Sequence, residues 1–198
     1  MRLRTWLAVA VLGLLAACAQ MQMQKVDRGQ VTINDALTLQ AGIPWNRFEL
    51  QFPLSVAPGA SQVWTQDGIT LDALAFFVGV ADGQTLGRQI PGSAKTLPPF
   101  RADMTPDEIV ELYEQAVTQE GSRFALQRVA PALFGGHPGF RFEYTITRRS
   151  DGVLLKGLAL GAVVKDKLDL VAFTAPAIYY YDRYLPQVEP LLASAQIK

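Results

Sequence analysis

The sequence predicts a single α+β domain over residues 31–198, an antiparallel β-sheet meander flanked by helices in an α/β/α sandwich-like arrangement. Three observations carry that expectation. Thr105-Pro106-Asp107-Glu108 is a helix start in which Thr105 caps the first free amides, Pro106 fits the first helical position and Glu108 closes a capping box. Between residues 124 and 174, apolar or alternating segments are separated by short turns rich in glycine and aspartate, the pattern of hairpin-connected strands. Helical composition then returns over residues 176–194. With 49% apolar and 18% charged residues, such a body can bury a sizeable core.

Taken in order, residues 19–30 are polar and aperiodic and read as a tether. The Met/Gln alternation there is also compatible with an edge strand, but a flexible linker is the expectation. Twelve residues reach at most about 40 Å, so the globule stays near its point of attachment. A first strand is expected at Val31-Thr32-Ile33. A second covers 45–52, with Phe48, Leu50 and Phe52 on one face and Pro53 as its stop. A third surrounds Trp64 over 62–66, followed by Asp67-Gly68 as a type I′ hairpin turn into a strand over 69–81. Residues 74–80 are apolar on both faces and so are covered on both sides, with a short helix at 72–76 as the alternative.

Residues 84–104 lack regularity, being broken by Gly87, Pro91, Gly92, Pro98 and Pro99. Arg88, Lys95 and Arg101 there read as a solvated connection more readily than as a basic flap for phosphates. The helix from Thr105 runs to Glu120, ended by Gly121, and buries Ile109, Leu112, Tyr113, Ala116 and Val117. Its acids Glu108, Glu111, Glu114 and Glu120 read as a solvated face rather than a metal or docking site.

The meander begins with a strand over 124–134, interrupted at Pro131 and turned by Gly135-Gly136-His137-Pro138-Gly139. Phe140, Phe142, Tyr144 and Ile146 then alternate with Arg141, Glu143, Thr145 and Thr147, one buried and one wet face. A strand over 153–164 sets Gly157, Ala159 and Gly161 on one face, leaving room for a helix to approach. Lys165-Asp166-Lys167 turns into a last strand over 168–174. Pro186 and Pro190 split the C-terminal part into a short helix over 177–183 and a second after Leu185, because proline inside a helix costs about 3 kcal/mol.

Ahead of this body, Met1-Arg2-Leu3-Arg4 leads into an apolar run over 6–18 that ends in Leu15-Ala16-Ala17-Cys18. A cationic start, a short apolar middle and a small-residue end make a secretory signal, and the run is shorter than the roughly 20 residues a bilayer span needs. Cleavage after Ala17 leaves 181 of the 198 residues; the removed segment holds two of the 18 basic residues and none of the 18 acids, so 16 basic face 18 acidic. That balance argues against a nucleic-acid binder. Cys18 is the sole cysteine, so the body has no disulfide, thiolate metal site or cysteine nucleophile.

Candidate chemistry is sparse. His137 is the sole histidine and sits in a turn of glycines and proline, without the nucleophile and orienting acid of a triad. No Gly-x-Ser-x-Gly elbow, phosphate loop or paired-cysteine metal site is present, and no cofactor is implied. Tyr179, Tyr180, Tyr181 and Tyr184 form the densest aromatic group, and Tyr180 and Tyr184, four apart on one helix face, are the candidate ligand contacts. The plainer reading of these rings is amphipathic core edging.

Leu15-Ala16-Ala17-Cys18 resembles the lipobox of bacterial lipoproteins, and the resemblance implies cleavage between Ala17 and Cys18 and acylation of Cys18. Each buried methylene then contributes about 0.8 kcal/mol to membrane attachment. Ala19 is similar to the residue that follows the cysteine in lipoproteins sent to the outer membrane. The order of elements from Thr105 to Lys198, a capped helix, a meander and a helix after Ala175-Pro176, resembles the PsbP/Mog1-type sandwich, a fold that hosts accessory and binding proteins more often than enzymes. The expectation is therefore a lipid-anchored lipoprotein facing the periplasm, on the outer membrane, acting as a non-catalytic binding or assembly component of the cell envelope. Its partners are the membrane through Cys18 and an envelope protein. The alternative is a carrier or sensor with an apolar pocket, between the meander and the C-terminal helices, for a lipid or other small hydrophobic ligand.

Overall fold

The computed structural model describes residues 23–49, 60–93 and 96–198. The residues expected to hold the signal and lipid site, with Ala17 and Cys18, lie outside these, as do Leu50, Phe52 and Lys95. The described strands are β1 (Met23–Val26), β2 (Gly29–Ile33), β3 (Leu37–Ala41), β4 (Trp45–Glu49), β5 (Gln62–Thr65), β6 (Ala73–Ala81), β7 (Arg123–Phe134), β8 (His137–Thr147), β9 (Leu154–Val164), β10 (Lys167–Pro176) and β11 (Gln196–Ile197). The helices are α1 (Pro106–Val117) and α2 (Tyr180–Ala193).

Eight strands form one antiparallel sheet in the order β1-β4-β5-β6-β10-β9-β8-β7, and β11-β3-β2 form a second. The large sheet buries both faces. On one side Phe77, Phe140, Phe142, Tyr144 and Leu170 pack beneath Ile109, Leu112 and Tyr113 of α1 and beneath Leu86 and Phe100 of the 84–104 segment. On the other, Trp64, Phe76, Leu158 and Phe173 pack beneath Tyr181, Val188 and Leu191 of α2 and beneath Leu37 and Leu39 of the small sheet. The molecule is thus one domain, mostly antiparallel sheet, and more β-rich than an α/β/α sandwich, because a three-stranded sheet shares one outer layer with a helix.

The region expected to be a tether is in part sheet: Met23–Val26 pairs with residues 45–48, so the Met/Gln alternation is an edge strand. The strand expected at residues 31–33 begins at Gly29 as β2, and β3 completes a hairpin with it that the sequence leaves unassigned. Asp67-Gly68 is not a type I′ turn, since Gly68 has positive φ and Asp67 does not. A longer loop instead carries the chain to β6, which starts at Ala73 as a strand throughout. The buried Asp72 carboxylate builds that loop by accepting from Thr65 Oγ1 (2.9 Å), Gln66 N (2.6 Å) and Asp67 N (2.8 Å).

Helix α1 begins with the expected capping box, Thr105 and Glu108 bonding reciprocally, and ends at Val117 with Thr118 as its cap. Strand β7 passes through Pro131 without interruption, paired with Phe140. It lies at the edge of the sheet, where a missing amide breaks no second ladder. The alternation in β8 is as expected, with Phe140, Phe142, Tyr144 and Ile146 buried.

The small face of β9 takes aromatic rings rather than a helix. Gly157 stands opposite Tyr144 on one neighbour and Thr174 on the other, and the Tyr144 ring lies across it, so close that a Cβ would sit 2.1 Å from Cζ. The Tyr144 hydroxyl thereby reaches Thr174 Oγ1 at 2.7 Å and the Tyr113 hydroxyl of α1 at 2.6 Å.

The C-terminal part is one helix, with Pro186 and Pro190 inside it. Both are exposed, while Tyr181, Tyr184, Val188, Leu191 and Leu192 are buried. Two interior prolines cost about 6 kcal/mol together. Burying five large side chains returns roughly 1.5–3 kcal/mol each, so packing outweighs propensity.

Candidate functional site

Most residues singled out in the sequence are absorbed by structure. His137 opens β8 as the cross-strand partner of Phe134. The 84–104 segment is pinned: Phe100 N donates to Gln84 O (2.7 Å), Gly83 N to Phe100 O (2.8 Å) and Ile90 N to Gln119 Oε1 (2.9 Å), with Leu86, Leu97 and Phe100 buried. Arg101 pairs with Asp103 and Glu108, and the Arg88 carbonyl accepts from Gln119 Nε2. Of the α1 acids, Glu108 serves the cap and Glu120 accepts from Ser122 Oγ.

The tyrosine group is where structure and exposure part company. Strand β10 ends at Pro176, and Ala177 N is held by Leu154 O at 2.9 Å. The chain must then turn sharply to lay α2 back on the sheet. It does so through Tyr179 at φ 75°, ψ −57°, with Tyr180 N donating to Ile178 O at 3.0 Å. That is the γ-turn geometry that a side-chain-bearing residue rarely adopts and that costs about 1–3 kcal/mol. The turn pushes Ile178 (87% exposed) and Tyr179 (60% exposed) outward, and Leu154 (49% exposed) lies beside them at the start of β9.

Behind this knuckle the side chains are locked. Arg183 lies over both the Tyr179 and Tyr184 rings, at 5.2 and 5.1 Å from their centroids, and donates to the Tyr179 hydroxyl at 2.9 Å. It also approaches Asp67 Oδ2 at 3.4 Å. Tyr184 donates its hydroxyl to the same Asp67 oxygen at 2.5 Å. Burial and then the Asp67 carboxylate push the Tyr184 phenol well above its ordinary pKa, so it stays a donor. Tyr180 meets Tyr179 edge-on at 5.2 Å. Of the two candidate contacts, Tyr184 is therefore buried with its hydroxyl committed, and Tyr180 is half-buried at the base of the knuckle.

The sequence shows Tyr179 only as a member of the aromatic group and Asp67 only as a turn residue, and it does not single out Ile178, Leu154 or Arg183. A non-glycine residue with positive φ has no sequence marker, and Asp67 is distant from α2 in the chain. The space between the meander and α2, where an apolar pocket was an alternative expectation, is filled: Phe173 stacks on Tyr181 at 5.6 Å, and Val188, Leu191 and Leu192 are buried beside them. Among the described residues no helix is long and apolar enough to cross a membrane.

No protein-family model matches the chain. No curated protein matches it in sequence either. Among solved structures it is similar to the cyanobacterial PsbP protein CyanoP of Synechocystis sp. PCC 6803, at 15% identity and a TM-score of 0.56, over 92% of this chain and 96% of that one. LpqN of Mycobacterium tuberculosis, described as involved in cell envelope biogenesis, aligns at 11% identity over 89% of this chain and 91% of that one, with a TM-score of only 0.36. The fold is PsbP-like, as the order of elements from Thr105 onward implies.

Proposed function

We propose that this chain is a bacterial lipoprotein, anchored through acylated Cys18, that acts as a non-catalytic binding or assembly component of the cell envelope. The anchor rests on the signal-like residues 1–17 and the lipobox-like Leu15-Ala16-Ala17-Cys18. The binding role rests on one observation, the strained and exposed Ile178-Tyr179 knuckle. Strain of this size persists where surrounding structure over-determines it, and such places cluster at functional sites. A turn kept only for stability would be served better by glycine, which adopts positive φ freely. Here a tyrosine and an isoleucine are held outward instead, with the Arg183 guanidinium against the Tyr179 ring, an apolar centre with a charged edge as in contact patches.

The test has two arms. Intact mass of the purified mature protein should show a chain beginning at Cys18 with added acyl chains, and Cys18→Ala should abolish both the lipid and the membrane fraction. A mature chain that starts elsewhere, or carries no lipid, overturns the anchor. Ile178→Asp should remove a specific crosslinked partner from cells while leaving the thermal transition in place. An unchanged crosslinking pattern overturns the binding role.

A further inference from the structure

At the far end of β10 from the knuckle, about 30 Å along the strand, the large sheet is deformed. Gly79 of β6 takes φ 74°, and the β6–β10 register slips between Leu168 and Leu170, a bulge that sets Asp169 against Gly79. Bulges of this kind re-aim side chains. Asp169 is 3% exposed, and its Oδ1 accepts from Gly79 N at 2.8 Å. Its Oδ2 carries no hydrogen bond among the described residues. That oxygen is not sealed in the core, so it stays open to a donor from outside.

Asp169 lines a groove of about 470 Å³ whose other charged side chains are Lys165, Lys167 and Lys198. None of the three lysines is in an ion pair among the described residues. Lys165 takes φ 51° in the β9–β10 turn, and Lys198 N donates to Ala36 O at 3.0 Å, so the backbone at both positions is held beside the groove. Val164 and Ile197 supply apolar wall. The groove therefore offers several ammonium groups to an anion and one unshared carboxylate oxygen to a donor close by.

From this juxtaposition we infer that the groove binds a phosphorylated polyol, with the phosphate held by Lys165, Lys167 and Lys198 and a neighbouring hydroxyl donated to Asp169. Phosphate suits the site because its charge of about −1.5 to −2 matches more than one ammonium, and lysine engages it as a point charge. The same chemistry occurs in a free metabolite and in a glycerol-phosphate lipid head group, and the apolar wall would favour the second. The inference stands independently of the knuckle.

Calorimetric titration of the full-length protein with glycerol 3-phosphate, dihexanoyl phosphatidylglycerol and dihexanoyl phosphatidylcholine tests it, the two lipids kept below micelle formation. Saturable one-to-one binding of either of the first two with a Kd of about 1 mM or tighter is expected, weakened about tenfold or more in Lys165→Ser/Lys167→Ser. Both lysines are exposed, so that variant keeps the fold. Tighter binding of the lipid than of the free phosphate assigns the lipid head group, and equal or weaker binding of the lipid assigns the free phosphate. Absence of saturation with both, equal binding of the phosphatidylcholine, or unchanged affinity in the lysine variant overturns the inference.

Discussion

The Tyr144 ring occupies the place where a side chain on Gly157 would stand, and this single vacancy lets one hydroxyl bridge Tyr113 and Thr174 inside the core. Burial pushes the Tyr113 phenol up to about 12, so the relay is a set of neutral hydroxyls at any ordinary pH. Tyr144→Phe leaves two buried hydroxyls short of a partner and should cost about 1–3 kcal/mol in urea unfolding. Adding Tyr113→Phe should cost less than the sum of the two single changes, because the partners are shared. Gly157→Ala drives a methyl into the ring and should cost about 3 kcal/mol or more; a loss below about 1 kcal/mol would show that the ring can move aside. The glycines of β9 and the alternation of β8 were both legible in the sequence. What filled the gap was not, because that depends on the register between two strands, which alternation alone leaves open.

At the scale of elements, the start of α1 was legible to the residue because it is written locally in Thr105, Pro106 and Glu108, whereas its end at Val117 falls three residues short of the expected Glu120. Helix α2 was misread because its prolines are local signals overruled by burial across the molecule. That reading makes Pro186→Ala a stabilising change. Restoring a backbone hydrogen bond in the helix interior should add about 2 kcal/mol, after the entropy that the unfolded chain regains. A lower melting temperature for this variant would show that the helix needs its proline bend to reach Val188 and Leu191. The edge strand at Met23–Val26 was hidden for the opposite reason. Met23, Gln24 and Lys25 are exposed and only Val26 is buried, so pairing with β4 rather than burial makes it a strand. The knuckle between β10 and α2 was visible only as composition. Tyr179→Gly should leave stability within about 1 kcal/mol of the parent, relief of strain offsetting the lost stacking on Arg183, while weakening capture of a partner.

Across the whole molecule, the two apolar layers are closed by different means, one by a helix and a pinned loop, the other by a helix and a second sheet. Among the described residues two carboxylates are taken into the core, Asp72 and Asp169, and burial raises the pKa of each against the hydrogen bonds that lower it. The folded state therefore holds these protons more tightly than the unfolded chain. Their contribution is full below the unfolded value near pH 4 and is lost as pH rises through the raised folded values. Asp169→Asn, which keeps an oxygen for Gly79 N, should remove that loss, so its stability relative to the parent should improve as pH is raised above about 4. Parallel pH curves for parent and variant would show that Asp169 is already relieved by Lys167. The single α+β domain, the meander and the wet face of β8 were legible from periodicity. The second sheet was not, because β11 has two residues and β3 carries no turn or capping signal of its own. The central claim, a contact made through Ile178-Tyr179, is tested most directly by placing a photocrosslinking residue at position 178 in living cells. A discrete adduct of one envelope protein, absent when the same residue is placed at exposed Gln127 on the far edge strand, is the result expected. No adduct at 178, or the same adducts from both positions, would contradict it.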